Sequence, residues 1–345
     1  MPNEINGTCN NIKNLSFKLM SLDFFNLVLI PVICVFGMIT NLLNIIIFSN
    51  IKMKKPTFKL MLAMSINDLI YLALCFPLSF YYCENCQELR LSEWYTIYLH
   101  YIDDYFTSGQ AFFSILIDIV LAVDRYRMIS NKKYVQNLSF KWEILLMAVI
   151  SLFFFFPVIF FKSRYECPPN FIIRIYTKRM YETIYLVLII IRFILAGFVL
   201  SIINFKILTK FSLMFRRKAL MKNEPKRTTL ETIRYETRYE QQKMPCDNLK
   251  EMRASRNMTL MVLFTCATNF IGMLPYSLTR IMRLTDLTND DWFNEFDMIT
   301  TCFLLFSHSC TFFIYYSFNS MFFFISRRYF KNTCFIFYRK ISVEL

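Results

Sequence analysis

The sequence predicts an all-α membrane protein: a bundle of seven transmembrane helices followed by a short amphipathic eighth helix. Hydrophobic residues make up 56% of the 345 residues and charged residues 19%, below the roughly 25% that is usual in soluble proteins. The charges are concentrated between long apolar stretches, each close to the roughly 20 residues that cross a bilayer as a helix. Lysine and arginine are also divided unevenly among the connections between these stretches.

Seven apolar stretches follow one another and are interpreted as the transmembrane helices: Phe24–Phe48, Lys59–Tyr82, Trp94–Arg125, Trp142–Phe161, Glu182–Ile207, Ser255–Met282 and Phe296–Phe324. They divide the chain into a polar amino-terminal segment (1–23), a transmembrane domain (24–325) and an eighth helix with the tail (326–345). The 5–6 connection covers about residues 208–254 and carries charges of both signs. The basic, aromatic residues after 326 suit a helix that lies along the membrane interface.

The placement of positive charge predicts the orientation of the bundle. Most of the 39 lysine and arginine residues fall in the 1–2, 3–4 and 5–6 connections and in the tail. By the positive-inside rule the amino terminus lies outside and the carboxyl terminus inside, which in the plasma membrane makes them extracellular and cytoplasmic. Asn6 and Asn14 begin glycosylation sequons in the extracellular segment. The net charge of +14 then lies mainly beside anionic membrane lipid and requires no nucleic-acid partner.

The third apolar stretch ends abruptly in Asp124, Arg125 and Tyr126. At this place the charged pair would sit where hydrocarbon meets water, so that the long side chains reach the interface. Adjacent residues on a helix do not face each other well, which leaves Arg125 able to exchange Asp124 for another partner. The pattern therefore indicates a two-position switch, and the alternative is a basic anchor at the membrane edge.

Several polar residues lie inside the predicted spans, where each is costly unless it has a partner. Asp68 in helix 2 and Asp118 in helix 3 are ionisable and are therefore functional candidates. Helical spacing back from Arg125 places Asp118 on one face with Ser114, Ala111 and Thr107. Asn41 is predicted to hydrogen-bond another helix, a packing role that does not exclude a functional one. Helix 6 carries Asn269 and then Pro275, which predicts a kink.

In these features the chain resembles the rhodopsin-like (class A) G-protein-coupled receptors from about Asp23 to Phe335, most closely their divergent invertebrate orphan and peptide-type members. The positions that carry the resemblance are Asp124-Arg125-Tyr126, the helix-1 asparagine Asn41, the helix-2 aspartate Asp68, the sodium-site serine Ser114 and the helix-6 proline Pro275. Asn319-Ser320-Met321-Phe322-Phe323 looks like a degraded Asn-Pro-x-x-Tyr motif, with Phe330 at the start of the eighth helix.

The chain also departs from the family at recognisable positions. His100 replaces the usual helix-3 cysteine, Met273 the helix-6 tryptophan, and Ala196 stands where helix 5 usually has proline. Because Cys167 has lost its usual partner, we expect it to pair with Cys83 or Cys86. Cys9 is a candidate for the remaining thiol, and the alternative is a local Cys83–Cys86 link. Cys334 in the tail is a palmitoylation candidate.

The resemblance implies a receptor in which an extracellular ligand shifts helices 5 and 6, so that Arg125 leaves Asp124 and contacts a heterotrimeric G protein. A peptide is the favoured ligand and a small chemosensory molecule the alternative. A transporter or channel and a nonsignalling scaffold are further alternatives. No HExxH or GxSxG motif supports an enzyme. The one cofactor that the resemblance implies is a sodium ion held by Asp68 and Ser114.

Arg192, near the middle of helix 5, predicts an anionic group on the ligand, since an unpaired cation at this depth should face the bundle. The alternative is an internal pair with Asp104. We predict that the ligand pocket is formed by Asp104, Thr107, Ala111, Arg192 and Met273.

Asp118 occupies a position where the similar receptors carry an apolar side chain. We expect a wet polar network around it that promotes ligand-independent signalling, reduced by Asp118→Leu. The predicted network consists of Asn41, Asp68, Ser114, Asp118, Asn269 and Asn319. Alternatively, a hydrogen bond from Asp118 to Asn269 locks the resting state, and the same substitution then raises signalling.

Overall fold

Among the residues described by the structure, a computed structural model, seven helices are long and apolar enough to cross a membrane, as the sequence predicted. The structure describes residues 24–50, 56–80, 95, 98–130, 140–161, 178–223, 246–284 and 292–328. The membrane-spanning segments are α1 (Phe25–Ser49), α2 (Pro56–Phe80), α3 (Tyr105–Ile129), α4 (Phe140–Ile159), α5 (Thr183–Leu213), α6 (Ala254–Met282) and α7 (Phe293–Phe318). The end of the bundle that carries Arg125 is called the inner end below.

Several helices extend beyond their membrane-spanning segments. A π-helical stretch, Tyr98–Thr107, leads into α3, so the regular helix begins at Ser108, later than the hydropathy window suggested. The α5 helix continues to Asn223 and the α6 helix starts at Cys246. Both described ends of the predicted 208–254 connection are therefore helical.

The α5 helix is interrupted by a π-helical turn at Leu195–Val199. Ala196, the residue at the place of the family's helix-5 proline, lies within this turn. A π turn inserts one extra residue and breaks the regular ladder of backbone hydrogen bonds, as a proline also does. Arg192 precedes this turn by three residues. Its side chain is buried in the bundle, whereas the neighbouring Ile191 is 43% exposed.

The α7 helix ends differently from the sequence expectation. It consists of Trp292–Ser309 and Thr311–Phe318, and Asn319 then adopts an extended backbone conformation. Residues 320–328 form a further helix, α8, which begins six residues before the predicted position 326. The Asn319 side chain accepts a hydrogen bond from the backbone N–H of Phe322 at 3.1 Å, so Asn319 is the N-cap of α8.

The α3 helix lies in the middle of the bundle and packs against α2, α4, α5 and α6, while α7 packs against α1 and α6. Large apolar side chains cover the outside of the bundle; Phe153 and Phe205 are each 70% exposed. Such a surface would be unfavourable in water, but it matches lipid. The buried polar side chains accordingly face the interior of the bundle around α3 and α7, which are the two most buried spans.

Two glycines allow α7 to approach its neighbours closely. A Cβ at Gly37 of α1 would lie 2.2 Å from Ser309 Oγ, and one at Gly272 of α6 would lie 2.5 Å from Ser307 Oγ. Small residues permit such close helix contacts in membranes, where dispersion and hydrogen bonds stabilise packing. These contacts fix the axial position and rotation of α7, which decides the polar residues that it presents to the interior.

Candidate functional site

Arg125 lies at the inner end of α3 with only 1% of its surface exposed. Its Nη2 donates to Asp124 Oδ2 at 3.2 Å and also to Thr57 Oγ1 at the start of α2. The Thr57 hydroxyl in turn donates to Asp124 Oδ2 at 2.6 Å. The three side chains therefore form a closed triad that joins α2 to α3. Sequence reasoning identified Asp124 and Arg125 but missed Thr57.

The triad leaves part of the guanidinium without a partner. Arg125 Nε has no hydrogen-bond partner, although the side chain is buried. Burying a cation is costly unless it is paired and its N–H groups are satisfied. The arrangement thus holds Arg125 in place while leaving a donor available for a different acceptor.

A lysine of α5 forms a second contact at the inner end. Lys210 Nζ donates to Ser130 Oγ at 2.7 Å and lies 4.7 Å from the centre of the Tyr126 ring. A cation over an aromatic face is attracted by the ring quadrupole. Tyr126, the third residue of the sequence motif, therefore links α3 to α5.

Asn41 connects α1 to α7. Its Nδ2 donates to the carbonyl oxygens of Gly37 and His308, each at 3.0 Å. Thr311 Oγ1 donates to Asn41 Oδ1 at 3.2 Å, and Asn44 Nδ2 donates to Thr311 at 3.3 Å. Asn41 thus occupies the predicted polar interior, with α7 partners that the sequence did not indicate.

Asp68, fully buried in α2, pairs with His308 of α7 at 2.9 Å between Oδ1 and Nδ1. The His308 ring packs against Tyr71, with ring centres 4.6 Å apart. Sequence reasoning gave His308 no role. The signal that could have identified it is general: an ionisable residue within a transmembrane span is a functional candidate by default.

Asp118 forms the link to α6 that the alternative hypothesis required. Asn269 Nδ2 donates to Asp118 Oδ2 at 2.9 Å, and Cys266 Sγ contacts the Asp118 backbone carbonyl at 3.9 Å. Asp118 is buried and its Oδ1 has no hydrogen-bond partner. The carboxylate therefore joins α3 to α6 at the level of the bundle core.

A small cavity lies between the two acidic sites. Its free volume is about 20 Å³, room for roughly one water molecule. Ser114, Asp118, Asn269 and His308 contribute polar groups to its wall. The cavity brings the polar residues of α3, α6 and α7 to one place, which supports the expectation of a common interior network.

The cavity also receives three of the five predicted ligand residues: Ala111, Arg192 and Met273. Thr107 is buried but does not line it, and the side chain of Asp104 is outside the described part of the chain. The Arg192 guanidinium lies 5.7 Å from the centre of the Phe155 ring. Arg192 Nε has no hydrogen-bond partner.

Asn319 does not join the polar network in the way predicted. It caps α8, and the α7 residues next to Asn41 and Asp68 are Thr311 and His308, eight and eleven residues earlier in the chain. Tyr315, four residues after Thr311, is buried against Phe48 and Phe322. Thr311 and Tyr315 thus have the spacing of the asparagine and the tyrosine in Asn-Pro-x-x-Tyr, and they stand eight residues before the stretch that the sequence suggested for this motif.

The residues do not fit the sodium ion that the resemblance implied. Asp68 and Ser114 are both buried, and Asp68 Oδ2 and Ser114 Oγ have no hydrogen-bond partner. However, Asp68 Oδ1 already has a partner in His308 Nδ1, 2.9 Å away. Within the described residues, no group of three histidine, cysteine or acidic side chains is placed to hold a metal.

Other predicted residues lie outside the described part of the chain: Asn6, Cys9, Asn14, Cys83, Cys86, Cys167, Phe330 and Cys334. The glycosylation, disulfide and palmitoylation hypotheses therefore stay predictions.

Comparison with known proteins places these observations in context. Residues 40–315 match the family described as 7 transmembrane receptor (rhodopsin family). The fold is similar to the crystal structure of squid rhodopsin, with a TM-score of 0.62 and 16% sequence identity over 91% of this chain and 86% of that chain. A comparison with curated proteins found no match.

Proposed function

Since the chain belongs to the rhodopsin family of seven-transmembrane receptors, we propose that it transduces an extracellular ligand to heterotrimeric G proteins by rearrangement of α5 and α6. The family consists of membrane receptors and not of enzymes. The ligand, the G-protein coupling and the movement are the proposed parts.

The buried Arg125 triad is the observation that carries the proposal. Arg125 is held by Asp124 of its own helix and Thr57 of α2, and among the described residues of α6 none forms an ion pair with it. The contact that restrains α6 is instead the bond between Asp118 and Asn269. Movement of α6 would break this bond and open the inner end, where Arg125 could donate to a G-protein acceptor.

The coupling is tested in cells that carry a promiscuous G-protein reporter and are exposed to a peptide library. We expect the wild type to respond and Arg125→Ala to lose the response at equal surface expression. Arg127→Ala is the matched control, since Arg127 is exposed two residues further on. An undiminished response of Arg125→Ala would contradict the proposed switch.

We favour a peptide ligand with an anionic group that approaches Arg192, and a small chemosensory molecule is the alternative. Arg192 supports this because it is a buried cation that lines the interior cavity and keeps a donor without a partner. The Phe155 ring stabilises the cation without accepting a conventional hydrogen bond, so Arg192 Nε stays available to a ligand.

The ligand contact is tested with Arg192→Gln and Arg192→Lys against a responding peptide from the library. Arg192→Gln should lower potency at least about tenfold, the effect of losing a charge-assisted hydrogen bond. Arg192→Lys keeps the charge and should retain more of the potency. Unchanged potency of Arg192→Gln would exclude the contact, and intracellular retention of both variants would indicate a structural pair.

A further inference from the structure

Asp68 is a fully buried carboxylate, and its partner is another side chain of this protein. His308 Nδ1 lies 2.9 Å from Asp68 Oδ1. A carboxylate in the interior of a membrane bundle needs a partner, because an unpaired anion is strongly destabilising there. From this pairing we infer that His308 takes the place of a sodium ion at Asp68, so that the resting receptor does not bind sodium.

Two independent contacts hold the histidine in this position. The backbone carbonyl of His308 accepts a hydrogen bond from Asn41 Nδ2 at 3.0 Å, which ties this turn of α7 to α1. On the other side the imidazole packs against the Tyr71 ring. Because the backbone and the ring are both fixed, the imidazole cannot swing away from Asp68 without loss of packing.

The space beside the pair is also unsuited to a cation. The adjoining cavity has a free volume of only about 20 Å³, and its wall includes Arg192 and His308 as well as Asp118. A sodium ion in this cavity would share its wall with the Arg192 guanidinium, and like charges repel in a poorly hydrated interior. It would also have to displace the Asp68–His308 bond. Asp68 Oδ2, Ser114 Oγ and Asp118 Oδ1 have no hydrogen-bond partner, and a neutral water molecule can donate to such oxygens without the repulsion that a cation would meet.

The inference is tested by thermal unfolding of the purified full-length protein in sodium chloride and in N-methyl-D-glucamine chloride at equal ionic strength. This measurement does not depend on ligand or G protein, so its outcome is separate from that of the proposed function. The wild type should unfold at the same temperature in both salts. His308→Ser removes the imidazole and should unfold about 3 °C higher in sodium, because it gains a bound ion.

Three variants complete the test. His308→Asn repeats the removal of the imidazole with a neutral side chain that fills more of the space and has an oxygen able to face an ion, in case His308→Ser does not fold. Adding Asp68→Asn to His308→Ser should abolish the sodium effect, and replacing the other histidine, His100→Ser, should not create one. A sodium-specific stabilisation of the wild type that Asp68→Asn removes would overturn the inference. So would the absence of a sodium effect in both His308 variants.

Discussion

At the scale of single residues, Thr57 has the largest role that the sequence did not reveal. Its hydroxyl both accepts from Arg125 and donates to Asp124. Threonine therefore completes a buried charge pair whose members, as neighbours on one helix, could not satisfy each other alone. The resting position of Arg125 depends on α2 as much as on α3.

Replacement of Thr57 by valine is expected to raise ligand-independent signalling. The substitution keeps the shape of the side chain but removes the hydroxyl, so Arg125 loses one of its acceptors. A hydrogen bond in a membrane interior is worth about 1 kcal/mol, which corresponds to roughly a fivefold shift toward the signalling state. The measurement is reporter activity without ligand at matched surface expression. Thr268→Val is the control, because Thr268 is only half-buried and its hydroxyl donates to the carbonyl of Phe264 in its own helix.

The bond between Asp118 and Asn269 leads to a second prediction. It joins α3 to α6, so we expect it to hold the resting state. Asn269→Leu and Asp118→Leu should each raise ligand-independent signalling by a few fold, measured as above. This is the outcome of the alternative hypothesis for Asp118, and it replaces the expectation of reduced signalling because the required bond is present. A fall in signalling for Asp118→Leu would restore the first hypothesis.

At the scale of elements, the position of α7 depends on its close contacts with α1 and α6. A methyl group at Gly272 would meet the side chain of Ser307 at 2.5 Å and the backbone carbonyl of Phe303 at 3.2 Å. The backbone contact leaves little room for adjustment, so the helices must separate. The interior contacts of Thr311 and His308 would then be disturbed together.

Gly272→Ala is accordingly expected to destabilise the receptor by about 1–3 kcal/mol, the usual effect of overpacking. The matched control is Gly197→Ala in α5, where an added Cβ would lie 3.5 Å from Phe270, an ordinary contact. Thermal unfolding of the purified variants in detergent distinguishes the two. Equal unfolding temperatures for Gly272→Ala and the wild type would show that α6 and α7 are not held at this point.

At the scale of the whole molecule, the distribution of lysine and arginine predicts the orientation in the plasma membrane. We expect an amino-terminal epitope tag to be stained on intact cells and a carboxyl-terminal tag only after permeabilisation. Removing both sequons by Asn6→Gln and Asn14→Gln should abolish the mobility shift caused by N-glycosidase. Staining of the carboxyl-terminal tag on intact cells would reverse the assigned orientation.

The sequence determined the number of helices, because a bilayer requires each span to satisfy its own backbone and to present apolar side chains. For the same reason it indicated Arg125, Asp68 and Asp118, since an ionisable group in or at the edge of a span is costly enough to stand out. These properties are local to one helix and can be read without its neighbours. The sequence also suggested a pair between Asp118 and Asn269 as an alternative. It could not decide between that pair and a hydrated polar cluster.

The tertiary structure decided the partners of these residues. His308 and Thr311, and not Asn319, meet Asp68 and Asn41, because the close approach of α7 to α1 sets its axial position. The helix-7 motif could not indicate this axial position from the sequence, because the proline of the usual motif is missing. Thr57 lies 67 residues from Asp124 and has no unusual pattern around it, so only the packing of α2 against α3 brings its hydroxyl to Arg125. Hydrogen bonds act over about 3 Å, and which side chains come within that distance is a property of helix packing.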